Sequence, residues 1–107
     1  MIAGDDTLAG YVAVHGRPPA FEGTDGRSYS VGVFSDDDPH PDGRYGAALL
    51  FLRWSEAAEP DGHLESDYLA YDRDAAVAEA AVARLSLLEV KRTLDALIAR
   101  RAAEGRP

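Results

Sequence analysis

Cysteine is absent from the 107 residues, which excludes disulfides, thiolate metal sites and cysteine nucleophiles together. Asparagine and glutamine are absent too, and lysine occurs once, as Lys91, beside ten arginines and nineteen alanines. Heat adaptation and a G+C-rich genome both deplete amide side chains. The Lys and Glu enrichment typical of hyperthermophiles is missing, so the skew points to no function. Long hydrophobic runs are also lacking: the longest stretch of large apolar side chains is Leu49 to Leu52, against about 20 residues for a membrane span. Met1 to Asp6 is acidic and polar, without the basic start and apolar stretch of a signal peptide. These absences lead us to expect a cytoplasmic protein with no membrane association. No glycine cluster has the three-glycine dinucleotide fingerprint or the Gly-Lys-Ser/Thr ending of a phosphate loop, and no serine sits in a nucleophile elbow.

The charge that is present is uneven. Residues 1–72 hold fourteen acidic and four basic residues, a net −10, and residues 73–107 hold five and seven, a net +2. An acidic first part disfavours a phosphate backbone as partner, so nucleic acid ranks last and only through the basic C-terminal segment.

Asp-Gly occurs three times, at residues 25–26, 42–43 and 61–62, each between stretches rich in Val, Tyr, Phe or Leu. The dipeptide suits tight hairpin turns that need positive φ. Three turns predict about four strands running up and down. The first is placed at Leu8–His15 and ends at Gly16-Arg17-Pro18-Pro19. A short arm, Ala20-Phe21-Glu22, should pair with the start of the second strand, Arg27–Ser35, where Tyr29, Val31 and Val33 alternate with Ser28, Ser30 and Gly32. The third, Tyr45–Trp54, is apolar on both faces and should be central. The fourth is placed at Leu64–Tyr71.

From Asp72 onward the apolar period changes from two to about 3.6 and alanine dominates, which indicates helix. Ser86-Leu87-Leu88-Glu89 matches a capping box. It divides the segment into one helix over about Arg73–Arg84 and another over about Leu87–Ala103, the alternative being one long helix with Ser86 in mid-span. The expected fold is therefore a single α+β domain over residues 1–107: an antiparallel β-meander of about four strands, then two C-terminal helices packed on one face. Only the first six or so residues and Gly105–Pro107 are expected to fray.

Candidate chemistry is sparse. Asp38, His40, Asp42 and Gly43 match the start of a calcium-loop template, but Leu49 stands where the bidentate glutamate belongs and Pro39 and Pro41 stiffen the segment, so no metal site is expected. His63, Glu65 and Asp67 would share one face of the fourth strand, and charge there fits edge protection better than acid–base catalysis. The strand aromatics read as core, because a base-stacking platform needs positive charge. No catalytic residue and no cofactor is assigned.

One physical lead remains. Two short helices cover one face of the sheet, whereas the third strand is apolar on both: Ala48, Leu50, Leu52 and Trp54 on one, Ala47, Leu49 and Phe51 on the other. The uncovered face should meet a protein partner, most economically a second copy of the chain, or carry a ligand pocket, unless the Pro18–Gly26 arm covers it. The binding face is placed at Leu49, Phe51 and Arg53, with Arg53 as an anion anchor in the pocket version and His63, Glu65 or Asp67 as polar contacts.

Overall fold

Thr7 and Gly16 bracket the first element in the computed structural model, which describes residues 6–105. The Thr7 hydroxyl accepts the Gly10 N–H at 2.9 Å, and Gly16, with φ 68°, closes the other end by donating its N–H to the Val12 carbonyl. Between them Leu8–His15 forms a helix, α1. The expected first strand is thus corrected: cap residues stand at both ends, the left-handed Gly16 terminates the turn as glycine does at many helix C-termini, and only Leu8 is buried while Val12 and Val14 face solvent.

The arm behaves as expected. Strand β1, Ala20–Glu22, pairs antiparallel with β2, Ser28–Ser35, through Ala20↔Ser30, Phe21↔Tyr29 and Glu22↔Ser28. Strand β2 pairs with β3, Tyr45–Trp54, from Ser28↔Trp54 to Ser35↔Ala47. Gly26 and Gly43 both adopt positive φ, so the first two Asp-Gly dipeptides are turns. The third is not.

The β3–β4 hairpin turns at Ser55–Glu59 instead, where Ala58 takes a left-handed φ of 61° and Ser55 and Glu59 are bonded across the loop. Asp61 and Gly62 lie inside β4, Pro60–Glu65, with Gly62 opposite Arg53. A side chain at Gly62 would meet the Arg53 guanidinium at 2.8 Å, so this glycine serves close approach rather than a turn.

The expected fourth strand, Leu64–Tyr71, is split. After Glu65 the chain leaves the ladder and returns as β5, Ala70–Asp72, which also pairs with β3, through Tyr45↔Asp72, Gly46↔Tyr71 and Ala47↔Ala70. Ser66 bridges the gap: its N–H donates to the Leu49 carbonyl and its Oγ accepts the Leu49 N–H, both at 2.9 Å. The sheet therefore has the meander order β1-β2-β3-β4 with β5 beside β4 on β3.

The two C-terminal helices form where the sequence places them, α2 over Ala75–Ala83 and α3 over Leu87–Glu104. The capping box is complete: the Ser86 hydroxyl accepts the Glu89 N–H and the Glu89 carboxylate accepts the Ser86 N–H, each at 3.0 Å. Ala78 and Val82 of α2 and Val90, Leu94 and Leu97 of α3 pack with Leu8 against Tyr29, Val31, Leu49, Phe51 and Leu64. Because alternate strand residues point to opposite faces, this core uses one face of the sheet only. The shortest dimension, 22 Å, is that of a sheet layer and a helix layer at about 10 Å each. The expected fraying concerns residues 1–6 and 105–107, of which 1–5 and 106–107 lie outside the described residues.

Ser86→Ala removes a cap and should cost about 1 kcal/mol, read by chemical denaturation. Ala58→Gly relieves a left-handed alanine, worth about 1–2 kcal/mol, against a larger unfolded-state entropy of about 0.4–1 kcal/mol. A small net gain in stability is expected in the same assay, and a loss would show that Ala58 is not strained.

Candidate functional site

The residues placed in a binding face do not share one surface, although Arg53 and His63 both line one small cleft. Leu49 and Phe51 are 0 % exposed beneath the helices, so neither is available to a partner. Arg53 points to the same side, at the sheet margin, while His63 and Glu65 pair opposite Leu52 and Leu50 and therefore point to the other. The side chosen by the helices is Leu49–Phe51–Arg53, and the side left open is the alternate one. Asp67, expected to share a face with His63 and Glu65, lies past the end of β4 and faces Arg100 of α3 at 3.5 Å.

The open face is built from alternate residues of all five strands, with Ala20 and Glu22 from β1 and Tyr71 from β5. Strand β3 contributes Gly46, Ala48, Leu50, Leu52 and Trp54; β2 contributes Ser28, Ser30, Gly32 and Phe34; β4 contributes His63 and Glu65. Leu50, Leu52 and Trp54 are half-buried by their strand neighbours alone, and no described helix or strand lies over them. The Trp54 indole donates to the Ser30 Oγ at 2.9 Å, which ties β3 to β2 across this face.

One end of this face is closed by a polar-aromatic cluster centred on Asp36. Its carboxylate accepts the Tyr68 hydroxyl at 2.7 Å and the Gly46 N–H at 3.3 Å, and lies 2.7 Å from His40 Nε2. The Tyr68 hydroxyl bond, then the His40 contact, hold the Asp36 carboxyl below the usual carboxylate range, and the same bond pushes the Tyr68 phenol up. His40 meets the Tyr68 and Tyr71 rings edge-on, with centroids 5.2 and 5.7 Å apart, and the Arg44 guanidinium sits 4.8 Å from the Tyr71 ring centre. This is an Asp–His pair without a nucleophile: the nearest hydroxyl in sequence, Ser35 Oγ, donates to Glu79. Among the described residues no three His, Asp or Glu side chains come together to hold a metal ion. The sequence reading grouped His40 with Asp38 and Asp42, whereas Asp42 is occupied by Arg44. The i,i+4 spacing of Asp36 and His40 was the available signal, but Tyr68 reaches them only through the β3–β5 pairing.

Arg53 lies in a second polar cluster on the helix side. Its Nε and Nη2 donate to the Asp61 carboxylate and carbonyl, each at 2.8 Å, and Arg27 binds the other Asp61 oxygen. The two guanidinium groups hold the Asp61 carboxyl low. Beside them, Tyr29 donates its hydroxyl to Asp25 at 2.7 Å. Burial first, and the Asp25 bond second, push the Tyr29 phenol up to about 12. The cleft between Arg53, His63, Tyr29 and Arg101 measures about 80 Å³, well under the roughly 300 Å³ at which small-molecule sites begin. On α3 the basic residues are dispersed: Lys91 is paired with Asp95 and Arg100 with Asp67.

No family model, no curated protein and no solved structure matches this chain. What the fold and the face define is a two-layer α+β domain with an uncovered, largely apolar sheet surface and an aromatic rim. No helix among the described residues is long and apolar enough to cross a membrane.

Tyr29 gives a titration that checks the Arg53 cluster. Its folded pKa lies above the usual phenol value of about 10, so its protonated form contributes stability that is complete below about pH 10 and is lost as the pH rises through about 12. A near-ultraviolet absorbance titration should show a late-ionising phenol that Tyr29→Phe removes, and the wild type should lose stability over that window faster than the variant. Equal alkaline profiles would contradict the buried Tyr29–Asp25 bond.

Proposed function

We propose that this protein is a self-associating interaction domain that pairs with a second copy of itself through the open face of its sheet. The observation that carries the reading is the uncovered row Leu50, Leu52 and Trp54, continued by Phe34 and Tyr68. Aromatic side chains and depleted charge mark the centres of protein interfaces. On a chain of net charge −8, the strand residues of this face hold two acidic side chains, Glu22 of β1 and Glu65 of β4, both on edge strands. Two copies stacked here bring their apolar rows together while their acidic loops stay apart. Strands about 4.8 Å apart, four wide and about eight residues long, outline roughly 500 Å² per copy, so a stacked pair buries on the order of 1,000 Å². That meets the lower bound for a specific interface.

The ligand-pocket alternative has less support. The cleft lined by Arg53 and His63 has a volume of about 80 Å³, and the Arg53 guanidinium is already bonded to the Asp61 carboxylate and carbonyl. A cytoplasmic setting is part of the proposal.

The reading predicts a dimer by sedimentation at micromolar concentration, with Trp54 fluorescence changing on dilution, since Trp54 is the single tryptophan and lies in the interface. Leu52→Asp should yield a folded monomer, because the carboxylate stays hydrated on an open face but opposes association. Phe51→Asp, on the covered face, should unfold the domain. A wild type that remains monomeric at all accessible concentrations rejects the proposal.

A further inference from the structure

The outer edge of β2 is a surface separate from the open face. Strand β1 covers only Ser28–Ser30 of it, and among the described residues no strand lies against Val31–Ser35. The direction of the free groups follows from the ladder. The Asp36 N–H donates to the Gly46 carbonyl at 3.1 Å, one position past the Ser35↔Ala47 pair. Bonding direction alternates along an antiparallel strand, so Ser30, Gly32 and Phe34 turn their backbone groups towards β3. On the other side, the Gly23 N–H bonded to the Arg27 carbonyl at 2.8 Å sets the phase of β1–β2 and turns Tyr29 towards β1. Two, four and six residues on, Val31, Val33 and Ser35 aim three N–H and three C=O groups outward.

Beside this edge runs an apolar groove of about 420 Å³, between Leu8, Val12 and Ala13 of α1, Pro18, and the Val31–Val33 stretch. No charged side chain lines it. Ser28–Ser35 also contains none, although exposed edges are ordinarily guarded by charge, proline or a bulge. The ends are charged, and oppositely. Asp37 and Asp38 follow the Ser35 end and Arg17 precedes Pro18 at the other, and all three are exposed and without an ion-pair partner among the described residues.

The geometry points to β2 as a docking edge for an extended peptide segment, added as an antiparallel strand whose alternate apolar side chains enter the groove. Its N-terminal end is cationic and lies against Asp37 and Asp38; its C-terminal end is anionic and lies near Arg17. Antiparallel addition continues the pairing that every strand of the sheet already uses. Backbone bonds supply the affinity and the groove selects the alternate side chains, as in strand-addition recognition generally. A second copy fits less well: in a two-fold register about Val33 it sets uncharged Tyr29 and Ser28 opposite Asp37 and Asp38, leaving both acids unanswered.

The test is a nuclear magnetic resonance titration with the synthetic peptide Lys-Lys-Val-Thr-Val-Thr-Val-Asp. Saturable shifts and slowed exchange at the Val31, Val33 and Ser35 amides are expected. The charge-reversed peptide Asp-Asp-Val-Thr-Val-Thr-Val-Lys should bind roughly two- to tenfold more weakly at low salt, the scale of a few exposed ion pairs. Ala13→Arg, at an exposed position of α1, should block the groove and abolish the shifts while leaving the rest of the spectrum in place. The proposal is overturned if millimolar peptide gives no saturable shift, if the shifts fall on Leu50–Trp54 instead, or if the peptide-free protein has doubled mass with Val31, Val33 and Ser35 protected by a second copy.

Discussion

Strand β3 is the constraint on which the structure depends. It is bonded along most of both edges, by β2 on one side and by β4 and β5 on the other, and its Ala47, Leu49 and Phe51 have no exposed surface. Burying Phe51 and Leu49 contributes about 1.5–3 kcal/mol each relative to exposure, on the scale of a small domain's whole margin of about 5–15 kcal/mol. The same strand carries Leu50, Leu52 and Trp54 on its reverse side. A chain with two short C-terminal helices can complete one layer over the sheet. The second apolar face is therefore a consequence of the fold's size.

The ends of the sheet are held by polar networks. At the Trp54 end, Asp61 joins Arg27 of the β1–β2 loop to Arg53 of β3. At the Tyr45 end, Asp36 joins the β2–β3 loop to Tyr68 in the β4–β5 connection. These are exposed pairs, worth little individually, but each bridges segments distant in sequence and so defines where the connecting loops lie. Both leave the middle of the sheet's open face free of charge, which gives that face its interface character.

Two kinds of structural information were legible in the sequence. The two C-terminal helices were, because their signals are local: the Ser86–Glu89 capping box works through bonds three residues apart and forms as expected. The arm Ala20–Glu22 and the central position of β3 were also readable, from a turn dipeptide and from an apolar run without a polar side. Leu8–His15 was expected as a strand because an eight-residue apolar stretch fits either period, and the features that decide for a helix are the Thr7 cap and the left-handed Gly16 at its two ends. Asp61-Gly62 was misread for a related reason. The dipeptide has the chemistry of a turn, but here the glycine makes room for Arg53 and the aspartate is its acceptor, a cross-strand arrangement that no local pattern reveals.

The face with functional potential divides along the same line. The sequence by itself determined that β3 is apolar on both sides, that two helices follow the sheet, and that one face must remain without helical cover, since these depend on composition and local periodicity. Only the tertiary structure decided which face. Alternation makes Leu49–Phe51–Arg53 and Leu50–Leu52–Trp54 equivalent in one dimension, and the choice between them depends on the hand and direction in which α2 and α3 return across the sheet and on Leu8 of α1 joining that side. The partners of Asp36, the course of the chain through Ser66, and the three outward-facing residues of the β2 edge were decided there as well, because each is a relation between segments brought together by strand pairing rather than a property of any one of them.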